Sequence, residues 1–376
     1  MRLAILGGSF IQADFVQCAI QKGFTVFVLD MNHHCFLNDS VNYNFVNINF
    51  SNEFLVQKFC KENAIEFVYG PANELGNLIT ARLAPMIGYK YNNEKTVINT
   101  TYKNKQRKKL KDSPGIIRSP KMETFQNNIN LICDKLSFPL VVKPSNSSAG
   151  RGVTGVSDIK ELKLAIFEIE KMLKPNGKII IEEYIEGEQL SVETLSIDGK
   201  HYIIGITKEV TSGAPLFIER CHFMSKEIHN KYYPILLDPI KDLLDIFDLQ
   251  WGPCHIEIKI NKGGIWLIEM HSRSGAFRDR LMVNAGYPDY NALILDCYLN
   301  GEFELDKLMA PTNNALVNIL TYPDDVNTIE QGQKNKTWQS DYLNNKKPKE
   351  NPQSMMDAYG YVYFKSENDL THFSLK

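Results

Sequence analysis

The chain of 376 residues has no Cys-x-x-Cys pair; its seven cysteines, Cys18, Cys35, Cys60, Cys133, Cys221, Cys254 and Cys297, stand singly. An odd, scattered set excludes a zinc ribbon and argues against a disulfide framework, so reduced thiols are expected. No stretch approaches the roughly 20 apolar residues that span a bilayer, and the opening MRLAILGG is short for a signal peptide. A cytoplasmic protein without a membrane partner is the expectation. Charge of one sign is lacking too: 42 Lys+Arg stand against 44 Asp+Glu, a net −2 with no global pull toward nucleic acid. The one basic run, YKNKQRKKLK at Tyr102 to Lys111, has no aromatic interleaving and reads as a solvated helix face. Two nucleotide signatures are missing as well. No Gly-Lys-Ser/Thr follows a glycine loop, which excludes a Walker A motif, and GGSFIQ lacks the Gly-x-Gly-x-x-Gly spacing of a dinucleotide site.

What is present is a chain longer than one ordinary core, so two or three domains sharing a cleft are expected. RLAIL, a Gly7-Gly8 turn, a helix from Phe10 to Gly23 and TVFVLD ending at Asp30 make a β-α-β unit. Strand-like YNFVNI (43 to 48) and EFVYG (66 to 70) continue the alternation into a parallel sheet with helices on its faces. A helical stretch from Glu94 to Asp112 leads through SPGIIRSP into a new α+β unit. It runs LVVK (140 to 143), a small-residue loop, a helix over 158 to 174 and KIIIEEY (178 to 184). Four antiparallel-looking strands follow at 189 to 197, 201 to 210, 254 to 260 and 264 to 272. The last 65 residues, with low-order QKNKTWQSDYLNNKKPKENPQS and a final YGYVYF, look like a terminal subdomain on a mobile connection.

Two local patterns carry chemistry. In FPLVVKPSNSSAGRGV (138 to 153) an apolar strand runs into Lys143 and then into a loop of Ser, Ala and Gly. Its exposed N–H groups suit an anion such as phosphate, and a flexible surface connection is the alternative. In the hairpin from Cys254 to Ser272, a three-residue Lys262-Gly263-Gly264 loop sets Glu257 opposite Glu269. Glu257 then shares a face with Lys259, and Glu269 with His271, away from Trp266, Ile268 and Met270. Opposed carboxylates repel unless a cation lies between them, so the pair reads as a divalent metal site or else as a water-screened surface pair.

On these motifs the sequence resembles the ATP-grasp superfamily, carboxylate-amine ligase branch, which includes biotin carboxylase and amino-acid ligases. The resemblance implies an α/β architecture: a Rossmann-like domain over residues 1–95 and an ATP-grasp domain over 96–310. The latter would hold a flap-bearing unit (about 120–185) and a metal-binding unit (about 186–310), with a small subdomain at 311–376. It implies that Lys105, in Asn104-Lys105, and Lys143 bind the phosphates of ATP under a flap containing Ser147, Ser148 and Gly150. Glu182, Glu183 and Ile185 would form the adenine hinge and Gln189 the ribose contact. Glu257, Glu269 and His271 would hold Mg²⁺ or Mn²⁺, and Arg273 would act on the reacting phosphoryl and acyl group. Three positions depart from the family pattern: Gln189 for the usual Glu, His271 for Asn, and Asn104 for Asp.

Other residues carry two readings each. Glu219 and His222 in FIERCHF resemble a substrate-side element of amino-acid ligases, or serve ordinary packing; Lys208 is equally open. Glu74 caps a helix or reaches the acceptor substrate. His33-His34, with no spaced partner, reads as loop. The expected function is ATP-dependent joining of a small-molecule carboxylate, an amino acid among the options, to an amine through an acyl phosphate. The alternatives are an ATP-dependent carboxylase using bicarbonate and a non-catalytic ATP-binding protein; a homodimer is left open.

Overall fold

Residues 2–6 are apolar after Arg2 and buried on both faces, the pattern of a central parallel strand. In the computed structural model, which describes residues 1–174, 176–301, 310–344 and 346–375, this strand is β1 (Arg2–Leu6). It is followed by α1 (Phe10–Gln21), β2 (Thr25–Asp30), β3 (Asn44–Asn47), α2 (Glu53–Glu62), β4 (Phe67–Tyr69) and α3 (Glu74–Ile87). The four strands form the expected parallel sheet, in the order β3-β2-β1-β4. Asn73 caps α3 by accepting from the Gly76 N–H, and Gly88 ends it in the left-handed region at φ 98°. Two helices, α4 (Glu94–Thr101) and α5 (Lys103–Asp112), then cross to the rest of the molecule.

Next come β5 (Met122–Thr124), α6 (Ile129–Cys133), β6 (Leu140–Pro144), β7 (Thr154–Val156), α7 (Ile159–Met172) and β8 (Ile179–Glu183). They make a small antiparallel sheet, β5-β8-β6-β7, packed on the buried side of α7 through Leu162, Ile166 and Ile169. The Asp158 carboxylate caps α7 by accepting from the N–H groups of Lys160 and Glu161.

A larger sheet is built from β9 (Glu188–Ile197), β10 (Lys200–Thr211), β11 (Glu219–Met224), β12 (Trp251–Asn261) and β13 (Gly264–His271). The helix α8 (Lys226–Ile246) seals one face with Tyr232, Leu236, Ile240, Leu243 and Leu244. Beyond β13 lie α9 (Arg278–Ala285), α10 (Tyr290–Asn300), β14 (Asn314–Leu320), α11 (Asn327–Lys334), β15 (Trp338–Leu343) and β16 (Gly360–Ser366). The full order is β13-β12-β9-β10-β11-β14-β16-β15.

The C-terminal residues therefore extend the large sheet, where the sequence suggested a separate subdomain on a low-order connection. The cause is local: β14 pairs with β11 along Cys221 to Met224, and the buried Arg220 guanidinium donates to both oxygens of Asp325 at 2.7 Å. Trp338 to Leu343, inside the stretch read as low-order, pairs with β16. Among the described residues no helix is long and apolar enough to cross a membrane.

Candidate active site between the two antiparallel sheets

The β12–β13 hairpin sets Glu257 directly opposite Glu269 and His255 opposite His271. The turn is one residue tighter than the sequence suggested, because Asn261 pairs with Gly264, and an irregularity beside Ile258 restores the carboxylate register. That bulge overturns the expected facing of two neighbours. Trp266 pairs with Lys259, Leu267 takes the core position opposite Ile258, and Ile268 lines the pocket.

Glu257 and Glu269 are mostly buried, their side chains 17% and 14% exposed. Burial and the nearby Glu209 and Glu269 raise the Glu257 carboxyl to about 8. Burial opposes ionisation of Glu269 too, but the ammonium of Lys103 outweighs it and holds that carboxyl well below the usual range. His271 Nε2 lies 3.2 Å from Glu269 Oε1, and its buried Nδ1 has no hydrogen-bond partner among the described residues. Burial and Arg273 lower its pKa, favouring the neutral imidazole that ligates metals. A carboxyl whose ionisation the neighbouring carboxylates oppose, beside an unprotonated imidazole, fits a divalent cation, which would relieve that repulsion. Ligand-type atoms of Glu209, His255 and Glu257 also lie within 4.8 Å of one another, but Glu193 holds His255 protonated, which leaves the two carboxylates as the donors there.

The lysine expected at the phosphates requires correction. Lys105 is exposed on α5, whereas Lys103, two residues earlier and about 200° around the helix, is buried, lines the pocket and donates to the Ser147 carbonyl at 2.8 Å. Lys143 is buried opposite, 2.7 Å from Glu182, and burial lowers its pKa. The Glu182 carboxylate also accepts from Arg107 Nε at 2.7 Å; its side chain thus joins a buried ion cluster with Arg107 and Lys143. Ser147 and Gly150 of the loop line the pocket. The Ser148 hydroxyl donates to Glu74 at 3.4 Å.

Glu74 is a site neighbour rather than the helix cap, which Asn73 supplies. It accepts from Arg273 Nη2 at 2.6 Å; against its burial, Arg273 holds the Glu74 carboxyl down at about 2. Arg273 itself is buried beside Ser274, whose carbonyl accepts from Nη1 at 2.9 Å. The parallel-sheet part of the chain thus reaches the site through the Glu74 carboxylate.

At the other end of the pocket Glu183, Tyr184 and Ile185 form one wall. The Glu183 N–H donates to the Lys121 carbonyl at 3.1 Å, and the Ile185 carbonyl accepts from Lys259 Nζ at 3.0 Å. The Lys259 ammonium sits 4.9 Å from the Tyr184 ring centroid, and the Tyr184 and Phe217 rings are 5.8 Å apart, giving this end an aromatic lining. Gln189 lines the pocket and donates to Glu209 at 2.8 Å.

Glu219 lines the pocket and accepts from, or donates to, His222 Nε2 at 2.9 Å. Burial raises the Glu219 carboxyl, and burial with Arg278 lowers His222. Lys208 does not join them. It points to the opposite face of β10, pairing with Glu188 at 2.8 Å, and alternation along the strand puts Glu209 toward the site instead. Besides Lys103 and Glu209, three more site groups escaped the sequence reading: Glu193, His255 and Arg278. His255 Nδ1 is 2.5 Å from Glu193, which outweighs burial and raises the imidazole to about 10. Arg278 Nη2 donates to Glu209 at 2.5 Å. Gly275 is required beside them, since a Cβ there would lie 2.7 Å from both Glu193 Oε1 and His255 Nδ1.

A strand-borne lysine, a small-residue loop and a carboxylate hairpin thus line one cleft, and residues 136–278, which span all three, match the ATP-grasp domain. Over those residues the chain is similar to an ATP-grasp domain. Among curated proteins it is similar to the phosphoribosylamine–glycine ligase of Lactococcus lactis, 26% identical over 187 residues, 46% of this chain and 45% of that protein. It thus spans about half the length of that relative. Among solved structures, an L-amino acid ligase from Bacillus licheniformis superposes with a TM-score of 0.82 at 20% identity, covering 98% of this chain and 93% of its own. The carboxyaminoimidazole ribonucleotide synthase of Aspergillus clavatus, solved with ATP, gives 0.77 at 14% identity, with 97% and 94% coverage. At such identities the structural likeness establishes the fold, and an ATP-grasp fold accounts for both antiparallel sheets and the parallel one before them.

Proposed function

We propose that the protein is an ATP-dependent ligase joining a carboxylate to an amine through an acyl phosphate, with release of ADP and phosphate. The observation that carries this reading is the Glu257–Glu269 pair, opposed across adjacent strands in the same pocket as Lys103, Lys143 and the flap. Glu257 and Glu269 would hold Mg²⁺ or Mn²⁺, with His271 as a further ligand. When bound, that cation would neutralise phosphate charge. Lys103 and Lys143 add positive charge from two different elements, α5 and β6, and so fix the phosphate chain between them. The adenine belongs against Tyr184, Phe217 and the 183–185 wall, with Gln189 toward the ribose.

Arg273 is fixed by Glu74 and by the Ser274 carbonyl before any substrate arrives, so its charge needs little reorganisation when negative charge grows on the reacting phosphoryl and acyl group. The amine then displaces phosphate. Glu219 and His222 stand on the strand that borders this end of the pocket, where an incoming amine would be held and relieved of a proton. The flap keeps water from the acyl phosphate.

The pocket volume of about 110 Å³ is below the roughly 300–1,000 Å³ of small-molecule sites, so admission of nucleotide requires the flap to open. The test is ADP release on a panel of amino acids and small carboxylic acids, with and without an amine, with hydroxylamine added to trap acyl phosphate as hydroxamate. Amine-dependent ADP release with hydroxamate formation is expected. Release that requires bicarbonate, or ATP binding with no turnover on any acid, would replace this reading by the carboxylase or the non-catalytic one.

A further inference from the structure

The basic run at Tyr102 to Lys111 sends only Lys103 into the nucleotide pocket. Arg107, Lys108 and Lys111 line a different cleft, of about 940 Å³, between α5, the connector at 114–121 and the β13 edge. Leu110, Ile117 and Leu136 are buried and give it an apolar floor, and Trp266 stands at its side with the Arg118 guanidinium 5.7 Å from the ring.

Its acids are already engaged. Asp112 accepts from Lys108 Nζ at 2.5 Å, Glu123 from Lys135 Nζ at 3.0 Å, and Glu183 from the Lys121 N–H at 2.9 Å. Among the described residues no carboxylate pairs with Lys111, Arg118 or the Lys121 ammonium, so the rim carries a cationic excess. A second observation comes from inside. Arg107 is 3% exposed, its Nε and Nη2 are held by Glu182 and the Ile268 carbonyl, and its buried Nη1 has no partner among the described residues. A buried guanidinium nitrogen left unmatched is costly unless something accepts from it.

We infer that this cleft binds a small organic anion, an apolar or planar body bearing phosphate or carboxylate, at a site separate from the nucleotide pocket. The apolar floor and Trp266 take the body; Lys111, Arg118 and Lys121 take the charge. The two sites share walls: Glu183 and Pro120 line both, and the Arg107–Glu182–Lys143 chain runs from one to the other. Occupancy of the cleft therefore bears on the hinge that faces the nucleotide.

Phenyl phosphate and phthalate serve as probes, one for each anion, with inorganic phosphate as the comparison lacking a body. Each is titrated calorimetrically into protein saturated with a non-hydrolysable ATP analogue. One equivalent of at least one aromatic probe should bind, more tightly than inorganic phosphate. The double variant Lys111→Glu, Lys121→Glu, at two exposed positions that leave the core intact, should weaken binding by about tenfold or more, because two attractions become repulsions. Trp266→Ala should weaken the aromatic probes while leaving inorganic phosphate unchanged. Absence of saturable binding, equal affinity in the charge-reversed protein, or complete competition by the ATP analogue would overturn the inference.

Discussion

Replacing Lys103 with Met separates the structural reading of α5 from the one suggested by the Asn104-Lys105 pattern. The Lys103 ammonium is bonded to Glu269 and to the Ser147 carbonyl, with its side chain 3% exposed. Removing it leaves the Glu269 carboxylate buried without its main cation. Breaking a buried pair from one side costs about 3–5 kcal/mol. Taking the lower figure, because Glu269 keeps His271 and some solvent access, Tm should fall by roughly 6–12 °C for a cooperative unit of about 200 residues. Lys105 is exposed, so Lys105→Met should stay within about 0.5 kcal/mol of the parent.

Divalent metal provides the internal control. A cation held by Glu257 and Glu269 neutralises the stranded carboxylate, and a ligand at 100 times its Kd stabilises by about 2.7 kcal/mol. Millimolar Mg²⁺ should therefore raise the Tm of Lys103→Met more than that of the parent. Thermal denaturation of the three proteins with and without Mg²⁺, together with steady-state turnover, measures all of this. Turnover of Lys103→Met should drop by about 10²-fold or more, the scale of losing one preorganised charge at the reacting phosphates. Equal losses in Lys105→Met, or a Lys103→Met protein with parental Tm and activity, would refute the assignment.

Arg273→Ala should leave affinity for a non-hydrolysable ATP analogue nearly unchanged while turnover falls by about 10²-fold, and calorimetry beside kinetics separates the two effects. The segment from Ser145 to Gly152 should show faster hydrogen exchange without nucleotide and protection with the analogue; unchanged exchange at saturation would remove the flap assignment. His271→Asn should raise Mg²⁺-supported relative to Mn²⁺-supported turnover if the imidazole ligates, since nitrogen ligation suits manganese. Glu257→Gln together with Glu269→Gln should abolish metal-dependent ATP turnover, and full activity in both single variants would show that the pair holds no catalytic metal.

The parts of the site that were legible in the sequence are those set by strand alternation and local turns. Lys143 and the small-residue loop follow from an apolar strand running out of side chains. Helix phase was harder: eight of the ten residues from Tyr102 to Lys111 are basic or amide, and nothing local says which of Lys103 and Lys105 is buried. That choice is made by Glu269 and Ser147, which are distant in sequence. Glu74 was legible as a helix cap or as a group reaching the acceptor substrate, and the sequence could not choose between them because its partner Arg273 lies 199 residues away. His255 could have been found, since it sits two residues before Glu257 and must share its face. Lys208 was the wrong parity of the right strand; Glu209 is the one that turns inward.

The hairpin shows how a correct site can rest on an incorrect local path. A three-residue loop with regular pairing and a two-residue turn with one bulged residue both set 257 opposite 269. They differ in between, where the bulge turns Ile268 into the pocket and leaves Trp266 on the side of Lys259. The difference matters chemically. With Trp266 facing away from the core, it is available to Arg118 and to the cationic cleft, and with Ile268 inside, its carbonyl is where Arg107 is anchored. One extra residue in β13 therefore keeps the carboxylate pair in register and also supplies the wall between the two clefts. A regular hairpin would have preserved the first and forfeited the second.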